Sequence, residues 1–69
     1  MNKKQIDYIT KAFPEGARVK LVKMEDLNAP PIGTLGTVQM VDDVGSILVK
    51  WDNGCNLSII YGVDDCQRV

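Results

Sequence analysis

Histidine is missing from this 69-residue chain, and aromatic residues make up only 6% of it. Without imidazole the chain lacks the side chain that most often serves as general base near neutral pH. No Ser or Cys stands in a recognisable nucleophile setting with a base, and no Gly-rich loop opens a helix. Enzyme chemistry is therefore not expected, and no catalytic residue is assigned. Cysteine is scarce, with only Cys55 and Cys66. Two thiols and no histidine do not make a zinc site within one chain, so no metal or other cofactor is expected. No apolar run approaches the ~18 residues of a membrane span. The N-terminal stretch MNKKQIDYITKAF lacks the long apolar core of a signal peptide. The expectation is a cytoplasmic protein with no membrane segment, whose thiols stay reduced and packed.

What is present describes one small globular domain, 45% hydrophobic and 25% charged. A chain of this size buries only about 60% of the surface of its unfolded form. Such a core is marginal, and self-association would help it, so a monomer or weak homodimer is expected. The net charge of −1 hides a split between the two parts of the chain. Residues 1–23 carry Lys3, Lys4, Lys11, Arg18, Lys20 and Lys23 against Asp7 and Glu15, a net of +4. Residues 24–69 carry Lys50 and Arg68 against Glu25, Asp26, Asp42, Asp43, Asp52, Asp64 and Asp65, a net of −5. Only the N-terminal third offers the cluster of cations that nucleic-acid binding needs. Solvation of a helix and a strand explains the same lysines.

Residues 2–12 read as a short helix, with Asn2 as N-cap and Ile6, Ile9 and Phe13 as an apolar stripe. Pro14 and Gly16 end it. A helix this short is unstable alone and must dock. Residues 17–23, ARVKLVK, alternate as a half-buried strand with Val19 and Leu21 inward. The stretch MEDLNAPPIGTLG, residues 24–36, holds two prolines and two glycines and reads as a long loop. TVQMV (37–41) and SILVKW (46–51) read as strands, with Val38 and Met40 on one face and Ile47, Val49 and Trp51 on another. DDVG, residues 42–45, is the turn between them, with Gly45 free to take positive φ.

In WDNGCNL, residues 51–57, Asn53-Gly54 lies between two strand-like runs, which predicts a tight type I′ hairpin closed by Asp52 and Cys55. NLSIIY (56–61) follows as a fourth strand with Leu57, Ile59 and Tyr61 on one face. After a turn at 62–65, CQRV is long enough for a last strand against the first. The predicted fold is mainly β: a small five-stranded SH3-like barrel over residues 14–69, with a helix over residues 1–13 packed on it. Its core is Val19, Leu21, Val38, Met40, Ile47, Val49, Leu57 and Ile59.

The motifs GARVKL, PPIGTLGTV and GSILVKWDNG resemble an uncharacterised family of short bacterial, phage and mobile-element proteins, the domain of unknown function numbered 4314. The resemblance covers residues 13–64 and implies an SH3-like fold without an established activity. A looser likeness is to the Mib-Herc domain, a peptide-binding SH3-like module of eukaryotic ubiquitin ligases. It runs through Gly16, Arg18, Val19, Gly36, Thr37, Val38, Trp51 to Gly54, Tyr61, Gly62 and Asp64. The Y-G-V-D tail is one residue shorter before the acid than in that domain. The likeness implies a binding surface.

Three functions compete. The first is a protein-binding module, in a phage or mobile element a modulator of a host complex. It would use a Trp51–Tyr61 face with Asp52, Asn53 and Asp64, walled by Met24, Asp26, Leu27, Pro30, Pro31 and Ile32 of the long loop. Asp26, Asp52 and Asp64 would make such a groove acidic and suit a basic or amide-rich ligand. In the competing reading Trp51 and Tyr61 close the end of the barrel, and Asp52 pins its turn. The second function is nucleic-acid binding through Lys3, Lys4, Lys11, Arg18, Lys20 and Lys23, with G-x-x-G-T-V resembling KOW-type barrels. The third is capture of a small ligand between two copies of the chain. Adjacent acids at 42–43 and 64–65 read as solvated turn residues.

Overall fold

The computed structural model describes residues 2–69. It holds one helix, α1 (Lys3–Ala12), and five strands: β1 (Arg18–Lys23), β2 (Leu35–Val41), β3 (Ser46–Trp51), β4 (Ile59–Ile60) and β5 (Asp65–Arg68). The strands form a single antiparallel sheet in the order β4-β3-β2-β1-β5. The last strand does pair with the first. No ladder joins β4 to β5, so the sheet is not closed by hydrogen bonds.

The helix starts as its sequence requires. Asn2 Oδ1 accepts from the Gln5 amide at 2.9 Å, and Gln5 Oε1 accepts from the Asn2 amide at 3.0 Å, a complete capping box. Only Ile9 of the predicted stripe is fully buried, at 1% exposure, while Ile6 and Phe13 are half-buried. Ile9 thus inserts into the same core as the sheet.

That core contains Val19, Leu21, Val38, Ile47, Val49 and Ile59 as expected, together with Ala17, Trp51 and Cys66. Met40 does not belong to it and is 51% exposed. The cause is a bulge. Val38 pairs with Val49 but Met40 pairs with Leu48, so Gln39 is an extra residue on β2. The bulge turns Met40 to the outer face and passes the inward position to Val41, which packs on the core opposite Ile47. Leu57 is half-buried rather than core, because β4 is only two residues long and the chain before it leaves the ladder.

The two hairpin turns share one design. Asp42 bonds Ser46 and Gly45, and Trp51 bonds Cys55 and Gly54, through matching backbone pairs. Gly45 and Gly54 take φ of 83° and 91°, and among the described residues only glycines have positive φ. The 51–55 turn is therefore a three-residue loop with a left-handed glycine at its end, not the type I′ turn read from Asn-Gly. Asn53 keeps negative φ and instead accepts from the Cys55 amide at 3.0 Å through its side chain.

Candidate functional site

Trp51 stands at the end of β3 in register with Ile47 and Val49 and opposite Gly36 of β2. Its ring is 1% exposed, and its indole N–H donates to the Leu57 carbonyl at 2.9 Å. A Cβ on Gly36 would come within 2.7 Å of the indole Cε3 and 2.6 Å of Val49 Cγ1, so only glycine leaves room for the ring. Trp51 is thus a core residue, and it holds the irregular 55–58 segment against the sheet. Tyr61 is 44% exposed and lines crevices beside α1 and β5. The two aromatics do not share an exposed face.

Asp52 does not pin its own turn. Its carboxylate takes both guanidinium nitrogens of Arg18, at 2.8 and 2.6 Å, and Arg18 also donates to Thr37 Oγ1 at 2.9 Å. The register Arg18–Thr37–Lys50 across β1, β2 and β3 brings these groups together on the outer face. The hydrogen bonds from Arg18 hold the Asp52 carboxyl below the usual carboxylate value. A carboxyl depressed in the folded state adds stability above its unfolded pKa and loses that contribution as pH falls through the lower folded value. The pair is exposed on both sides, so its effect is small and screened by salt. Asp52→Asn is expected to lower the urea midpoint slightly at neutral pH and to match wild type once the pH has fallen through the depressed folded value of Asp52. A variant that differs from wild type equally at both pH values would show that the ion pair is not the cause.

The remaining candidates scatter, with one exception. Leu27 is fully exposed at the loop tip, Pro30 is buried, and Pro31 and Ile32 are exposed. Among the basic residues, Arg18 is occupied by Asp52, while Lys3, Lys4 and Lys11 lie on α1 and Lys20 and Lys23 on β1. The exception is an open groove of about 570 Å³, where Met24 and Asp26 meet Asp64. Its apolar lining comes from Met24, Leu57, Ile60 and Val63. Glu25, Asp26 and Asp64 supply three carboxylates, and no cation lines it. Glu25, Leu57, Ile60 and Val63 were not among the candidates read from the sequence. The one signal for them was an exposed apolar residue, Val63, inside an acidic turn.

Local hydrogen bonds fix the groove. Asp26 Oδ1 accepts from the Asn28 amide at 2.7 Å and shapes the loop beyond it. On the other side Asp64 Oδ2 accepts from the Ile60 amide at 2.9 Å, and the Ile60 carbonyl accepts from the amides of Val63 and Asp64. The turn thereby satisfies both backbone groups of Ile60, which blunts the exposed edge of β4. The groove therefore presents side chains there and not a free strand edge.

The cysteines are free thiols. Cys55 is half-buried, with its sulfur 3.8 Å from the Asn28 carbonyl, so the long loop rests on the 51–55 turn. Burial, with Asp65 nearby, pushes the Cys66 thiol up to about 11, which leaves it protonated and a poor nucleophile at neutral pH.

Fold and groove together define a mainly-β domain: a five-stranded antiparallel sheet with one short helix and an acidic, apolar-floored groove beside its shortest strand. The chain belongs to the family described as Domain of unknown function (DUF4314), which matches residues 2–69. No match was found among curated proteins or among solved structures. No helix among the described residues is long and apolar enough to cross a membrane.

Proposed function

We propose that this chain is a non-enzymatic protein-binding module, a small SH3-like barrel that receives a basic segment of a partner protein in the groove between residues 24–26 and 57–64. The observation that carries this reading is the groove itself, in which three carboxylates edge an apolar floor with no cation among them. Such a surface favours a ligand with alternating apolar and basic side chains. The barrel reading is supported by the last turn. In a flat sheet the outer strands of five stand about 19 Å apart. Here the edges β4 and β5 are joined by residues 61–64 alone, and Tyr61 and Asp64 form a β-bridge. A sheet curled toward closure accommodates so short a connection. A cytoplasmic setting, and a role as modulator of a host complex in a phage or mobile element, extend this reading by family resemblance.

Nucleic-acid binding is disfavoured by the engagement of Arg18 with Asp52 and by the spread of the lysines over a helix and a strand. A fluorescent peptide of alternating Lys and Ile tests the choice by anisotropy. The expected result is saturable binding that weakens with salt and falls roughly five- to tenfold in a Glu25→Lys/Asp26→Asn variant, in line with rim charges worth a fraction of a kcal/mol each. The Asn keeps the acceptor that Asn28 needs. Binding unchanged in that variant, or a preference for single-stranded nucleic acid over the peptide, would overturn the assignment.

A further inference from the structure

The groove does not stand alone. It shares Val63 and Asp64 with a second depression of about 410 Å³, and that one shares Tyr61 with a third of about 380 Å³ against α1. They make a row of depressions, linked by shared lining residues, from the helix past the turn at 61–64 to the loop at 24–26, and Lys23 also lines the middle one. Apolar side chains stand exposed along the row: Tyr8 at 65%, Tyr61 at 44%, Val63 at 63% and Ile60 at 52%. At the helix end the charge is reversed. Lys4, Tyr8 and Lys11 recur at i, i+4 and i+7 and share one exposed face of α1. The helix carries three lysines, Lys3, Lys4 and Lys11, against the single acid Asp7.

We propose that the chain forms a two-fold dimer in which the Lys4–Tyr8–Lys11 face of each copy lies in the acidic groove of the other. The proposal rests on the binding reading of that groove and names its first occupant. A two-fold interface is self-complementary, so one surface must carry both halves of each contact. This row does so, with Lys4 and Tyr8 of the helix at one end and the acidic, apolar groove at the other; Lys11 continues the same helix face beyond it. The turn at 61–64 lies between them, where a two-fold axis brings the two Val63 side chains together. The helix, with Lys3, Lys4 and Lys11 against Asp7, and the groove, with Glu25, Asp26 and Asp64, attract between copies, and the net charge of −1 leaves little overall repulsion. A foreign basic segment then competes with the partner copy's helix.

Sedimentation equilibrium of the full chain, over a wide concentration range and at two salt concentrations, tests this. The wild type is expected to approach twice its 7.6 kDa mass with rising concentration, and less readily at high salt. Lys4→Glu/Lys11→Glu gives an acidic helix above an acidic groove, and Glu25→Lys/Asp26→Asn gives a basic helix above a groove made more basic. Each is expected to weaken the dimer roughly tenfold or more, and an equal mixture of the two is expected to restore it. Val63→Asp, which puts like charges at the axis, is expected to give a monomer. Circular dichroism confirms that each variant is folded; Lys4, Lys11 and Glu25 make no side-chain hydrogen bond among the described residues. A wild type that stays monomeric, or a dimer indifferent to the charge swaps and to Val63→Asp, overturns the proposal. Peptide binding by a monomeric wild type would remove the dimer and leave the groove reading standing. A charge-swappable dimer that binds no peptide would do the reverse.

Discussion

Trp51→Ala is expected to remove about half or more of the stability of the domain. A large buried aromatic cut back to alanine costs about 3–5 kcal/mol. At roughly 0.05–0.15 kcal/mol per residue, a domain of this length has only about 3–10 kcal/mol in total. The loss here includes more than packing. The indole N–H holds the Leu57 carbonyl, and residues 55–58 have no ladder of their own. Trp51→Phe keeps much of the volume, loses that bond and part of the ring packing, and is expected to cost less. Its mark would be faster amide exchange in residues 55–58, with the core strands still protected. Urea titration followed by far-UV circular dichroism checks the first effect. A Trp51→Ala protein that melts cooperatively near the wild-type midpoint would place the residue outside the core and revive the Trp51 face as a site.

Gly36→Ala is the second large effect, and it comes from the same contact. The added methyl meets the Trp51 ring at 2.7 Å, Val49 at 2.6 Å and the Lys50 carbonyl oxygen at 3.1 Å. Overpacking of this kind costs about 1–3 kcal/mol, and here β3 cannot move away without breaking its pairing with β2. The cause is separable by a double-mutant cycle. In a Trp51→Phe background the methyl has a smaller ring to avoid, so the two changes should be markedly non-additive. Additive costs, or a neutral Gly36→Ala, would mean that the indole does not lie on the Gly36 backbone.

These contacts mark where the sequence was legible. The alternation of ARVKLVK and SILVKW sets two strands and their inward faces, because a period of two leaves no other choice when one face is buried. Asn2 with Gln5 sets the start of the helix for an equally local reason. The Gln39 bulge leaves no such trace. It is settled by pairing with β3, and one extra residue suffices to send Met40 outward. Asn-Gly marked the hairpin correctly but not its loop length, which follows from Trp51 rather than Asp52 pairing with Cys55. The Arg18–Asp52 pair spans 34 residues and exists only through the strand register. The groove was half legible. Its acids at Asp26 and Asp64 were read, but its floor depends on β4 being two residues long, which frees Leu57 and exposes Ile60.

On the proposed binding reading, the working surface is the acidic groove and not the tryptophan. Amide-shift mapping of the isotope-labelled Lys4→Glu/Lys11→Glu variant, whose groove is unchanged, titrated with the Lys-Ile peptide, tests this. Shifts are expected at residues 24–26, 57–60 and 63–64, with Lys20 and Lys50 on the outer sheet face unmoved. Shifts centred on that outer face, or on 51–53 with the groove silent, would contradict it.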